Sequence, residues 1–223
     1  MSQKIEPVEF GRYYHIYNRG INGENIFKEK ANYLHFLNLY DRYIEPITET
    51  FAWCLMPNHF HFLVRIKEEN EIDKNKLPVP TNLINPVRVL NTDRVNKVRK
   101  TGRNKIKYPS RYFSDLFNSY TQAINKRYER HGGLFERPFR RININDERYY
   151  KNLVIYIHNN PVHHGFVEHT LEYAWTSYLT VKSHKPTKLM RKEVLDWFDD
   201  FDNFEYLHKR NNENIDIERY IIE

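Results

Sequence analysis

The 223-residue chain is basic, with a formal net charge of +6, a pI near 9.2 and aromatic side chains at 15% of positions, 17 Tyr and 14 Phe among them. That length holds one well-buried domain with appendages, or at most two small ones. Cys54 is the only cysteine, which excludes an intramolecular disulfide and a cysteine zinc cluster; with no apolar signal core near Met1 and no apolar run of membrane-spanning length, a cytoplasmic protein is expected.

Gly11 to Asn18 reads as a first strand, and Arg19-Gly20 to Gly23 as a turn. From Lys28 to Tyr43, Tyr33, Phe36, Leu37 and Tyr40 recur at spacings of three and four, the period of a helix. Thr48 to Met56 is a second strand, and Pro57-Asn58 turns it into a third, Phe60 to Ile66, as an antiparallel hairpin. Lys67 to Pro109 is rich in Lys, Asn and Pro, and reads as a long basic loop with one helix near Val87–Val98. Phe113, Leu116, Phe117, Tyr120, Ile124 and Tyr128 predict a second helix, closed by His131-Gly132-Gly133. Phe139 to Ile144 is a short strand. Asp146 to Asn160 is a third helix, with Asp146 as N-cap and Pro161 as its end, because proline disfavours helical geometry in the residue before it.

This order, β-α-β-β-loop-α-β-α, predicts an α+β fold in which helices pack on a ferredoxin-like antiparallel sheet. The expected division is a catalytic domain over residues 1–180, with a basic insertion at about 67–110, and a charged helical extension over 181–223. Charge is uneven along the chain. Nine Lys or Arg face Asp93 alone between Asn85 and Arg111, whereas nine acids face Lys209, Arg210 and Arg219 between Asp196 and Glu223. A basic segment and abundant rings suit nucleic acid, since cations neutralise phosphates and rings stack on unpaired bases. Two solvated surface segments of opposite sign would give the same pattern.

The most informative residues are His59-Phe60-His61. Side chains alternate along a strand, so both imidazoles project from one face while Phe60 and Phe62 point to the other. The preceding turn puts the pair at the strand's entry, near a sheet edge. An isolated His-x-His is more often a polar strand face than half of a metal site. The third helix supplies a second half: Tyr156 and Asn160 are four apart and share one face, with Tyr150, Val154 and Ile157 on a stripe that can bury against the sheet. Two imidazoles and an amide carbonyl, all neutral, suit Mg²⁺ or Mn²⁺ with positions left for water and phosphate oxygens. Ordinary structural uses compete: a half-buried ring for Tyr156 and a helix C-cap for Asn160.

His59-Phe60-His61 followed by Tyr156-Ile157-His158-Asn159-Asn160-Pro161-Val162 resembles the HUH single-tyrosine (Y1) transposases, the IS200/IS605-like group, and most closely their REP-associated branch. Further pieces agree: Tyr14-His15-Ile16 with Asn18-Arg19-Gly20, Ala52-Trp53-Cys54-Leu55-Met56-Pro57-Asn58, Ser119-Tyr120-Thr121 with Asn125, Gly133-Leu134-Phe135-Glu136-Arg137, and Trp175-Thr176-Ser177-Tyr178. The resemblance spans residues 11–180. It implies the HUH endonuclease fold, His59, His61 and Asn160 as ligands of the divalent metal, and Tyr156 as a nucleophile that forms a 5′-phosphotyrosine on single-stranded DNA beside a hairpin. It also implies a bacterial-type, nucleoid-associated location. IS200-like relatives work as dimers and REP-associated ones as monomers, so a homodimer stays open.

Tyr120 is the rival nucleophile, but its helical spacing marks a core ring. Arg94, Arg99, Lys100 and Arg103 are the candidate DNA contacts in the basic segment. The competing function is a domesticated, non-catalytic single-stranded DNA or RNA-binding protein that keeps the basic aromatic surface. A metal-dependent hydrolase is least favoured, because the carboxylate ligands such enzymes use are missing from the pattern.

Overall fold

The computed structural model of the protein describes residues 6–78, 106–146 and 148–210. Within them the chain forms β1 (Tyr13–Arg19), α1 (Lys30–Tyr43), β2 (Thr48–Leu55), β3 (His59–Ile66), α2 (Pro109–Arg127), β4 (Arg140–Ile144) and α3 (Arg148–His163). One four-stranded sheet runs β2-β3-β1-β4 with every neighbouring pair antiparallel. This is the split β-α-β order of a ferredoxin-like sandwich, as the element order predicts. Arg94, Arg99, Lys100, Arg103, the helix expected near Val87–Val98 and the end of the acidic tail lie outside the described residues.

Period-two alternation sorts the sheet into two apolar faces. On one, Tyr14, Ile16, Phe60, Phe62 and Val64 pack against Phe36 and Tyr40 of α1 and Phe113, Leu116 and Tyr120 of α2. The rings of Tyr40 and Phe62 stack 4.5 Å apart. Each such side chain withdrawn from water contributes about 1.5–3 kcal/mol, so this face carries much of the stability. Local chemistry starts the helices: Glu29 and Asn32 form a reciprocal capping box on α1, and Pro109 occupies the first turn of α2, where its missing N–H costs nothing.

The other face, with Phe51, Ala52, Cys54, Leu63 and Ile144, is covered by α3 through Tyr150, Leu153, Val154 and Ile157. Three short helices complete that layer: α4 (Tyr178–Lys182), α5 (Arg191–Trp197) and α6 (Phe201–Arg210). Val181, Val194, Phe198 and Phe204 belong to the same apolar cluster. The boundary expected near residue 180 therefore falls within α4, inside this second core. Before it, Trp175 to Ser177 line the outer edge of β2: the Leu55 N–H donates to the Trp175 carbonyl and the Ser177 N–H to the Trp53 carbonyl, each at 2.9 Å. Among the described residues no helix is long and apolar enough to cross a membrane.

Two expectations need correction. The histidine-bearing strand does not lie at a sheet edge; β3 sits between β2 and β1, and only its entry is open. Nor does Pro161 end the third helix, which runs on to His163. A proline removes one amide donor, but the following turn finds others: the His164 N–H donates to the Asn160 carbonyl and the Phe166 N–H to the Pro161 carbonyl. The continuation carries His163 and His164 into the site.

Candidate active site

The site lies where the entry of β3 meets the C-terminal half of α3. The Pro57-Asn58 turn is fixed on both sides: the Met56 N–H donates to the His59 carbonyl at 2.8 Å, and the Gly20 N–H donates to the Asn58 carbonyl at 2.8 Å. Gly20 has no substitute here, because a Cβ would come within 2.0 Å of the Glu24 carbonyl oxygen. His59 is half-buried and His61 buried, both on the α3 side of the sheet, as strand alternation requires.

From α3, one helical turn separates Tyr156 from Asn160 and brings both to these imidazoles. The Nε2 of His59 lies 3.0 Å from Oδ1 of Asn160. The ring of Tyr156 stands edge-on to that of His61, centroids 5.4 Å apart, and only 6% of Tyr156 is exposed. All four predicted site residues in this group are thus brought together. Tyr120 is elsewhere: it is buried in the first core, and its hydroxyl donates to the Ile26 carbonyl at 2.7 Å. Burial raises its pKa further, which suits a core ring and not a nucleophile.

Several neighbours escaped the sequence reading. His15, on β1, is fully buried with Nε2 2.9 Å from Nδ1 of His61. Tyr17 stacks over both rings, 4.8 Å from His15 and 5.6 Å from His61. His164 packs against His59 at 5.0 Å between ring centroids, and His163 lies 6.3 Å from the ring of Tyr156. Burial holds His15 at a pKa of about 3, and burial with the neighbouring imidazoles of His15, His59 and His164 holds His61 well below its ordinary value. His163 is lowered by burial and by His164. Burial thus favours the neutral imidazole at His15, His61 and His163.

Among the described residues, no three His, Cys, Asp or Glu side chains form a group able to hold a metal ion. A cation here must therefore draw on the amide of Asn160, and the donors fit. His59 lies between two amide oxygens, with Nδ1 2.7 Å from Oδ1 of Asn58 and Nε2 3.0 Å from Oδ1 of Asn160; with its proton on Nδ1, held by Asn58, the Nε2 lone pair would be free for a cation. At 3.0 Å from one another, His59 Nε2 and Asn160 Oδ1 are close enough that both would reach a single bound cation. The Nδ2 of Asn160 is buried without a hydrogen-bond partner, so the amide is oriented through Oδ1, which faces His59.

Next to these residues opens a cleft of about 340 Å³, walled by Tyr17, Arg19, Asn58, His59, His61, Arg140 and His164. Arg19 pairs with Glu136 at 2.6 Å on its rim. A larger groove of about 670 Å³ shares Asn18 and Glu136 with this cleft and continues along α2, past Ser110, Arg111, Asn118, Arg137, Phe139 and Arg141. The Arg141 guanidinium lies 4.4 Å over the Phe139 ring.

A second histidine pair fastens α3 from behind. The Nδ1 of His158 is 2.9 Å from Nε2 of His208 on α6, and its Nε2 is 2.7 Å from the Ser177 hydroxyl; Asn159 donates to the His208 carbonyl at 3.0 Å. These residues lie between Tyr156 and Asn160 in sequence, so α6 helps to set the rotation of α3 about its axis.

No protein-family model matches the chain. A protein of Haemophilus influenzae described as a REP-associated tyrosine transposase is 26% identical over 130 residues, 58% of this chain and 58% of that protein. The structure of a REP-associated tyrosine transposase bound to a REP hairpin superposes with a TM-score of 0.50 at 14% identity, covering 83% of this chain and 88% of that one. The chain is thus similar over part of its length to one REP-associated tyrosine transposase in sequence and to another in fold.

Proposed function

We propose that the protein is a metal-dependent single-stranded DNA endonuclease and strand-transferase that cleaves beside hairpin DNA through a covalent 5′-phosphotyrosine on Tyr156. The observation that carries this reading is the convergence of His59, His61, Tyr156 and Asn160, from two distant segments, beside a cleft that the two histidines line. The hairpin-bound relative and the sequence match support DNA as the partner.

His59, His61 and Asn160 would hold Mg²⁺ or Mn²⁺, which when bound supplies positive charge against a phosphodiester's oxygens. The protein's own residues do the rest. The Tyr156 oxygen bonds to phosphorus as the bond from phosphorus to the 3′ oxygen breaks; the phenol loses one proton and the 3′ oxygen gains one. The phosphotyrosine keeps the energy of the phosphodiester, so a second 3′-hydroxyl can reverse the step without ATP. Arg140 on the cleft wall favours a polyanion there, beside Arg19 in its pair with Glu136, and the continuing groove, with Arg111, Arg137 and Arg141 beside Phe139, suits a backbone and an unpaired base.

The runner-up is a non-catalytic single-stranded nucleic-acid binder, and the 6% exposure of Tyr156 is the observation that favours it. One experiment separates them: incubation with a DNA hairpin carrying single-stranded flanks, with and without Mg²⁺, followed by a denaturing gel. A protein–DNA adduct that needs the cation supports the transesterase. Tight binding with no adduct under any divalent ion leaves the binder.

A further inference from the structure

Nothing in the family resemblance assigns a role to His15, yet its buried ring reaches His61 from the neighbouring strand at hydrogen-bond distance. The β1–β3 ladder places Tyr17 opposite His61 and His15 opposite Leu63, so His15 approaches His61 diagonally on the same face of the sheet. Both rings are buried and nearly parallel, 21° apart, with 2.9 Å between Nε2 of His15 and Nδ1 of His61. Nδ1 of His15 has no hydrogen-bond partner.

A neutral imidazole carries one proton on one of two nitrogens. If His15 Nε2 donates, His61 keeps its proton on Nε2 and has no lone pair there. If His15 Nε2 accepts, the proton of His61 is held at Nδ1 and Nε2 is bare. Either way one nitrogen of His15 stays unpaired in the core, so the surroundings do not choose between the two arrangements. A cation at Nε2 of His61 would.

We propose that His15 is a positioning residue: it accepts the Nδ1–H of His61 and so keeps the Nε2 lone pair of His61 directed at the cation, as Asn58 does for His59. This rests on the reading of His61 as a ligand. Outer partners of this kind fix ring orientation and tautomer, and their loss typically costs 10–100-fold in metal affinity. Gln at position 15 can present an acceptor near the place of Nε2. Leu fills a similar volume without one, and Asn is too short to reach.

The test uses the full chain, with Mn²⁺ affinity by calorimetry and imidazole nitrogen NMR in saturating Mg²⁺. In the unmodified protein, His61 is expected in the Nδ1–H form. His15→Leu should bind Mn²⁺ about tenfold more weakly or worse, and His61 should move toward the Nε2–H form. His59 should keep its tautomer, which a general disturbance of the fold would not spare. His15→Gln should recover most of the affinity. If His15→Leu does not fold, His15→Asn takes its place. Wild-type His61 in the Nε2–H form with Mg²⁺ present, or His15→Gln no better than His15→Leu, overturns the proposal. If His59→Ala and His61→Ala bind Mn²⁺ as tightly as wild type, the metal reading itself is gone and the positioning role with it.

Discussion

Nε2 of His59 lies 3.0 Å from Oδ1 of Asn160, across 101 residues of sequence. One atom belongs to the entry of a central strand, the other to the last turn but one of a helix on the opposite side of the second core. The contact exists because α3 packs Val154 and Ile157 against that face of the sheet, which turns Tyr156 and Asn160 toward the histidines.

The relationship ranks the ligands. His59→Ala and His61→Ala should each lower the rate of adduct formation by on the order of a hundredfold or more, and Asn160→Ala by about tenfold, because water can replace an amide oxygen on a hard cation more easily than it replaces an imidazole. Single-turnover cleavage rates at fixed Mg²⁺ measure this. Full activity in EDTA would remove the metal from the account.

The two candidate tyrosines separate cleanly. Tyr156→Phe should abolish the covalent adduct and leave DNA affinity within about twofold, since only a hydroxyl is lost. Tyr120→Phe should still form the adduct but leave the Ile26 carbonyl unpaired in the core, at a cost of about 1–3 kcal/mol and a fall of several degrees in Tm. An adduct that survives Tyr156→Phe and vanishes in Tyr120→Phe would reverse the assignment.

What was legible in the sequence was whatever local period fixes. Alternation placed Phe60 and His61 on opposite faces, and spacing by four placed Tyr156 with Asn160. Long-range pairing was not legible: His15 reaches His61 only through the β1–β3 register, and no local signal states that register. His163 and His164 were obscured by Pro161, whose rule against helix is strong mid-helix and weak in a last turn, where later amides take over the free carbonyls. The helices after Tyr178 are five to ten residues long, too short for a period to emerge, although Phe198 and Phe204 are fully buried.

His208 predicts a pH dependence of stability. Burial lowers its pKa to about 4, only partly opposed by its hydrogen bond to the Phe204 carbonyl, whereas the unfolded chain titrates near 6.5. The folded state therefore binds fewer protons than the unfolded state between those values. Stability from this group is complete above pH 6.5 and is lost as pH falls toward 4, at up to about 1.4 kcal/mol per pH unit. Urea midpoints should be level from pH 8 to 6.5 and drop by pH 5. A flat profile down to pH 5 would mean that the pair with His158 accepts a proton within the fold.

The last prediction concerns how DNA is held. Arg111, Arg137 and Arg141 line the groove that continues from the cleft, whereas Arg94, Arg99, Lys100 and Arg103 belong to the basic segment outside the described residues. Each cation that meets a phosphate releases about one counterion, so neutralising a set of true contacts weakens binding and flattens its salt dependence by about one unit of slope per contact. Neutralising the groove set should do this most for a hairpin with single-stranded flanks and little for the bare stem, because the groove lies beside the cleft where the unpaired strand must pass. Neutralising the basic-segment set should weaken hairpin and bare stem alike if it tracks the stem's phosphates, and should leave adduct formation at saturating DNA nearly unchanged. Fluorescence titrations of both substrates from low to moderate salt resolve the two patterns. Equal binding and cleavage of blunt duplex would sink the single-stranded reading, and an unchanged slope in the basic-segment variant would mark that segment as a solvated insertion.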